Sequence, residues 1–306
     1  MLAALLLIAQ LGGDPLEFIE KYLSLTLRDL MGAPADSTSY IEIRASLAEG
    51  RLPSRDAVHI EELLNRFTSD APPTSGANPV ATTVQIAEAP WHPSHRLVWF
   101  HFTASAENAR ELQTRIEFNP AQVSAYRVIG YSRPGFRRPS GSPEASPAGN
   151  LKGDQSITSL IEVIPYGEGV DTTGANPDGA PPFTDLSPAR RTNREMNAPI
   201  SREMAMFTVN YRRPGRAETE RNEIPITDRG EQFRAASEDF RFAAAVVEFG
   251  LILRNPPLKD PARLEEVLRN ARSSIGKDAD GNRAEFVRLV ETAQRVINGA
   301  EARPAR

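Results

Sequence analysis

No cysteine occurs in the 306 residues of this chain. That absence removes disulfides, thiolate metal sites and cysteine nucleophiles together, and it leaves the compartment open. Histidine is scarce: imidazole chemistry is confined to His59, His92, His95 and His101. No apolar run reaches the roughly 20 residues that a membrane-spanning helix needs. The nearest, Met1 to Leu11, resembles the apolar core of an export signal, but no Lys or Arg precedes it and no small-x-small cleavage site follows. It reads equally as the apolar start of a packed helix. A surplus of positive charge is missing too. The net charge is -4, whereas phosphate binding needs a clustered basic face, so nucleic acid is not expected as a partner. Neither a Gly-rich phosphate loop nor a Gly-x-Ser-x-Gly elbow is found.

What is there suits a globular protein with a real core: 40% hydrophobic and 25% charged residues. Periodicity divides the chain into three parts. Residues 1–70 read as a helical segment. Asp14, Pro15 and Gly32 delimit a first helix over Pro15 to Met31, and Ser39 to Glu49 forms a second. A third follows Pro53 and Ser54, with Ile60, Leu63, Leu64 and Phe67 inward. After a Pro/Gly/Ser/Asn connector the period shortens. Strands are expected over Val80–Ala87, Arg96–Thr103, Leu112–Phe118, Val123–Tyr131, Ile157–Ile164, Met204–Tyr211 and Asn222–Thr227. About seven strands without intervening helices predict an antiparallel β-sandwich over residues 80–228. Thr103 and Leu112 are expected on neighbouring strands of it. Two polar stretches, 132–153 and 167–200, read as long exposed loops. Residues 229–300 turn helical again. Ser237 caps a helix with two apolar stripes that ends at Pro256; Asp260 and Pro261 open another; the last runs from about Arg283 to Asn298. The fold class is therefore α+β, a sandwich flanked by helices from both ends of the chain.

Few residues suggest chemistry. His92, His95 and His101 lie close to Trp91 and Trp99, and with an acid such as Glu88 they could hold zinc, although their spacing fits no familiar zinc pattern. Asp154, Ser156 and Thr158 approach an Asp-x-Ser-x-Ser cation site, but the Asn150-Leu-Lys-Gly153 before them is no apolar strand. Asp278, Asp280, Asn282 and Glu285 supply half of a calcium loop; capping of the last helix by Asp280 explains them more simply. His59 has no triad context. Glu61-Glu62 and Glu265-Glu266 read as solvated helix faces. Arg133, Arg137, Arg138, Arg190, Arg191 and Arg194 concentrate positive charge in the loops, for solubility or for an acidic partner. Trp99 with Tyr126 or Tyr211 could form an aromatic row for a carbohydrate.

Several segments resemble a bacterial family of exported von Willebrand factor type A proteins. They are Asp36-Ser-Thr-Ser-Tyr40, Leu47-Ala-Glu-Gly-Arg-Leu-Pro53, Asp56-Ala-Val-His-Ile-Glu-Glu-Leu63, Ala89-Pro-Trp91 and His95-Arg-Leu97 in the first part. In the second they are Ile116-Glu-Phe-Asn-Pro120, Ala125-Tyr-Arg-Val-Ile-Gly-Tyr131, Ser156-Ile-Thr-Ser-Leu160 through Pro165, Ala236-Ser-Glu-Asp-Phe-Arg-Phe-Ala-Ala-Ala245 and Asp280-Gly-Asn-Arg-Ala-Glu-Phe-Val-Arg-Leu-Val290. The family carries an A domain between two such halves. Here only Ala104 to Arg110 joins them, so the resemblance implies the flanking regions without the A domain and without its metal site. It further implies a non-enzymatic protein-interaction or scaffold module of the cell envelope, with no catalytic, cofactor or metal residues and a protein as partner. The competing readings are a metal-dependent hydrolase built on His92, His95 and His101, and a carbohydrate-binding sandwich.

Overall fold

The computed structural model describes residues 24–26, 38–67, 74–75, 79–105, 107, 109–130, 155–169, 183–186, 202–255 and 260–301. The helices are α1 (Thr38–Ala48), α2 (Ile60–Phe67), α3 (Glu238–Arg254), α4 (Pro261–Arg272) and α5 (Asn282–Glu301). The strands are β1 (Ser24–Thr26), β2 (Val80–Ala89), β3 (His92–Ala104), β4 (Arg110–Phe118), β5 (Val123–Ile129), β6 (Gln155–Pro165), β7 (Thr184–Asp185), β8 (Ala205–Arg212) and β9 (Thr219–Ile226). They form two antiparallel sheets, ordered β2-β3-β6-β5-β7 and β1-β4-β8-β9. The expected α+β class and sandwich are both present.

Three layers result, because the five-stranded sheet is covered on both faces. Alternate residues of its strands point opposite ways. Val98, Phe100 and Phe102 of β3, with Tyr126, Ile161 and Val163, meet Leu112, Ile116, Phe118, Phe207 and Val209 of the second sheet. Phe100 and Phe207 touch with ring centroids 5.4 Å apart, and Phe118 stacks on Tyr126 at 4.1 Å. On the other face, Leu97, Trp99, Ile129 and Leu160 join a core made with residues of all five helices. A strand covered on both faces reads as a continuous apolar run, and Leu97–Phe100 is one.

The helices start and stop as their sequence directs. Ser237 Oγ accepts a hydrogen bond from Phe240 N at 3.2 Å to cap α3, and Asp260 accepts from Ala262 N at 2.9 Å to cap α4. Of the 17 residues of α3 only Glu238, Asp239 and Arg241 are not buried, as its two apolar stripes require. Close approach of α2 needs a glycine: a Cβ on Gly250 would lie 2.7 Å from Ile60 Cγ1.

Four expectations are corrected. The helix expected over Pro15–Met31 does not hold at Ser24–Thr26, which pair with Arg115–Glu117 of β4; an open strand edge outweighs local periodicity there. The rest of that span lies outside the described residues. Thr103 and Leu112 are not on neighbouring strands. Both sides of β3 are already taken by β2 and β6, so the short join at Ser105–Ala109 crosses to the facing sheet. The stretch 167–200 is not all loop, since Thr184–Asp185 pair with Ala125–Tyr126. Finally, Glu61 and Glu62 do not face solvent; they are 5% and 6% exposed. The stretch 132–153 and the arginines at 133, 137, 138, 190, 191 and 194 lie outside the described residues.

Two stability tests follow from this core. Phe240 is fully buried, so Phe240→Ala should cost about 3–5 kcal/mol in chemical denaturation; a change below about 0.5 kcal/mol would contradict its placement. Glu248 of α3 is buried, and burial pushes its carboxyl up to about 7 despite Arg263 at 3.3 Å. A raised carboxylate pKa means that the folded state keeps its proton longer than the unfolded chain. Stability should therefore fall as pH rises from about 4.5 to 7, by on the order of 2–3 kcal/mol. Glu248→Gln should flatten that slope in denaturant titrations across the same range.

Candidate functional site

The residues of one polar cluster on the helix-facing side of the five-stranded sheet lie at the end beside the β2–β3 turn at Pro90–Trp91. Register brings them together: Leu97 of β3, Glu162 of β6 and Arg127 of β5 lie in one row across three strands. Glu162 has no solvent exposure. Its Oε1 accepts from His95 Nδ1 at 2.6 Å and from Trp91 Nε1 at 3.1 Å. Its Oε2 accepts from Arg127 Nε at 2.8 Å and pairs with Nη2 at 2.6 Å. Phe183, just before β7, closes the cluster. Arg127 lies 4.4 Å from its ring centroid, and His95 meets the ring edge-on at 5.7 Å.

Burial alone would raise the Glu162 carboxyl. The His95 hydrogen bond and the Arg127 charge outweigh it and hold the group below the usual carboxylate range. Four donors around one buried carboxylate satisfy both oxygens, so the cluster is an internal ion pair fixed in geometry.

His92 stacks on His95 with ring centroids 3.7 Å apart, and its Nδ1 shares a hydrogen bond with Ser94 Oγ at 3.1 Å. The hydroxyl and the carboxylate thus sit on different imidazoles, and no relay from Glu162 through one histidine to Ser94 is formed. His101 is six residues further along β3 than His95, about 20 Å at ~3.3 Å per residue. It bonds Thr158 Oγ1 at 2.9 Å in the core. The structure therefore joins His92 to His95 and separates both from His101. Glu88 lies opposite Arg96, and its backbone N donates to Glu231 O at 3.1 Å. Among the described residues no group of three or more His, Asp or Glu could hold a metal ion.

The other candidates take structural places. Thr158 is in the core with His101, while Asp154 lies outside the described residues. Asp278, rather than Asp280, caps α5: its carboxylate accepts from Arg283 N at 3.0 Å and Ala284 N at 2.8 Å. Glu285 points away from that loop, to Tyr40 and to Arg66. His59 bonds Glu62 at 2.8 Å. Trp99, Tyr126 and Tyr211 are all buried, Trp99 in the helix-side core and the tyrosines inside the sandwich, so they form no exposed row. Glu162 and Arg127 were not singled out from sequence. The signal was a charged residue in each of two apolar strands, Ile161-Glu-Val163 and Tyr126-Arg-Val128.

Known proteins show a consistent likeness. A family model described as the C-terminal region of uncharacterized protein YfbK matches residues 106–296. A second, described as von Willebrand factor, matches residues 30–99. Uncharacterized protein YfbK of Escherichia coli (strain K12) is 30% identical over 192 residues, which cover 62% of this chain and 30% of that protein. The chain thus spans less than a third of that relative's length. No solved structure matches.

The Glu162 cluster makes its own prediction. Glu162→Gln removes the charge that Glu162 sets against the buried Arg127 and should cost about 3–5 kcal/mol near neutral pH. Because the folded pKa is lowered, the wild-type contribution is fully present above the free value of 4.5 and is lost as pH falls through the lower folded value. Acid denaturation followed by far-UV circular dichroism should therefore be shallower below about pH 4.5 in the variant. An unchanged acid limb would rule out the pairing.

Proposed function

The chain belongs to the family of the YfbK C-terminal region, and from that premise we propose that it is a non-enzymatic protein-interaction or scaffold module of the bacterial cell envelope. The observation that carries the reading is how the polar cluster around Glu162 is used. Glu162, Arg127, His95 and Trp91 bond to each other inside the fold, and the nearby hydroxyl of Ser94 is held by the histidine that lacks the carboxylate. A reactive centre needs a group directed at a substrate, whereas this cluster orders the sheet. The von Willebrand factor likeness of residues 30–99 agrees with an interaction role. The envelope placement rests on the family resemblance and the apolar run Met1–Leu11. Among the described residues no helix is long and apolar enough to cross a membrane.

Cross-linking in the native host, followed by affinity purification, tests this. A protein partner should be recovered in near-stoichiometric amount, equally with wild type and with His95→Gln, and in the envelope fraction. Turnover of ester, peptide or phosphoester substrates that His95→Gln abolishes, with no partner above background, would count against it.

A further inference from the structure

We propose that the edge of β2 over Val80–Val84, unpaired among the described residues, is a docking strip for a short, uncharged, extended segment of a partner protein, which adds to the five-stranded sheet as a further strand. The proposal rests on the interaction reading above and names where and what it binds.

The two sheets end on the same side of the sandwich, one at β2 and the other at β9. A groove of about 430 Å³ lies between these edges, lined by Val80, Thr82, Val209, Arg221, Asn222, Glu223 and Ile224. Native proteins block free strand edges with charge, proline or cover. The edge at β9 has such protection in Glu220, Arg221, Glu223 and Pro225. The Val80-Ala-Thr-Thr-Val84 edge carries no charge and no proline, and most of its residues are β-branched. Beyond it β2 is covered: Gln85 bonds the Glu231 carboxylate and Ser237, and Glu88 N donates to Glu231 O. The difference between the two halves of one edge marks the first half as the part left for a partner.

Its dimensions choose the occupant. The strip is about 17 Å long at ~3.3 Å per residue. A second copy paired along it would bury far less than the roughly 800 Å² per partner of a stable dimer. An extended peptide needs no more than this, since backbone hydrogen bonds supply affinity and alternate side chains enter pockets. The lining sets the chemistry. Val80, Thr82 and Ile224 face the groove beside Arg221, Asn222 and Glu223, so its small lining mixes methyl groups with polar ones. Arg221 and Glu223 on the rim pair with each other and leave no net charge to attract an ion. The segment that fits is neutral, with valine, isoleucine, threonine or alanine at the alternate positions that point inward.

The test uses the full chain and an array of eight-residue peptides with those four residues varied at alternate positions and serine or threonine between. Fluorescence anisotropy should find saturable binding at micromolar to about 100 μM Kd, within the range of a short strand addition. N-methylation of alternate backbone nitrogens in the best peptide should weaken it at least about tenfold, and so should Thr82→Lys. The amides of Val80–Val84 that point away from β3 should gain hydrogen-exchange protection on binding. No binding up to about 1 mM across the array, or equal binding of the N-methylated peptide, overturns the proposal. So do amides of Val80–Val84 that point away from β3 yet are already protected in the free protein, which would mean the chain covers its own edge, and a concentration-dependent dimer that Thr82→Lys breaks. If Thr82→Lys fails to fold, the N-methylated peptide decides alone. A host partner captured at full strength by folded Thr82→Lys sinks the strip and leaves the interaction reading standing.

Discussion

The five-stranded sheet is closed to water on both faces, and that constraint sets the rest of the structure. A buried polar group must find its partner inside the protein or lose the free energy of its hydration. The buried charges of Glu162, Arg127 and Arg96 in this sheet are met. Glu162 faces Arg127, His95 and Trp91. His101 meets Thr158, and Thr158 N donates to Asn65 Oδ1 of α2 at 2.9 Å. Arg96, on the sandwich side, grips Asp228 with two bonds of 2.8 and 2.6 Å and so holds the chain as it leaves β9. A bidentate arginine fixes orientation as well as charge. These contacts determine strand register and the seating of α2, which apolar packing alone would leave freer to slide.

Helix α2 lies where the layers come closest. Gly250 of α3 lets Ile60 in, and Gly130, with φ of 105°, brings the end of β5 against Glu61, where a Cβ would approach the backbone N to 3.0 Å. A side chain at Gly130 would press α2 away from the sheet, and one at Gly250 would press it away from α3. The acids of α2 then become internal groups. Glu62 accepts from Ser39 N at 3.0 Å and holds His59, which ties the start of α1 to α2. Glu61, with less compensation, has its carboxyl raised by burial.

Much of this fold was legible because period reports burial directly. The two stripes of α3 announced a sandwiched helix, and the apolar run Leu97–Phe100 marks the strand that is covered on both faces. The buried acids were not legible for the same reason. Period assigns Glu61 and Glu62 to a polar face, and nothing local says that Gly130 and Ser39 will close over it. Sheet membership of β4 was also hidden. A short join suggests a hairpin, but β3 had no free side, and that follows only from the long-range pairing of β3 with β6. In the candidate site the histidines drew attention by rarity, whereas the organising group, Glu162, is one acid among many. Only its place between Ile161 and Val163 distinguished it.

The six residues between the two family matches invite a domain boundary there, and the packing argues against one. The first match holds α1, α2, β2 and most of β3; the second holds the strands after β3, α3, α4 and most of α5. Taken alone, the first would leave Ile60, Leu63, Leu97 and Trp99 exposed, all of which lie in the core shared with Phe240, Phe249 and Phe286. The second would lose β3 from beside β6, with Glu162 deprived of His95 and Trp91. Neither part keeps a satisfied sheet or a complete core, so the two matches describe halves of one cooperative unit. The join itself is a different matter. Ser105 N is held by Pro79 O, Ala109 N by Ser105 O, and the chain turns at the end of the sandwich from one sheet to the other. Chain inserted at such a corner leaves both sheets paired as they are. A surface turn between strands of opposite sheets can lengthen or shorten freely, while the halves that it joins cannot be separated.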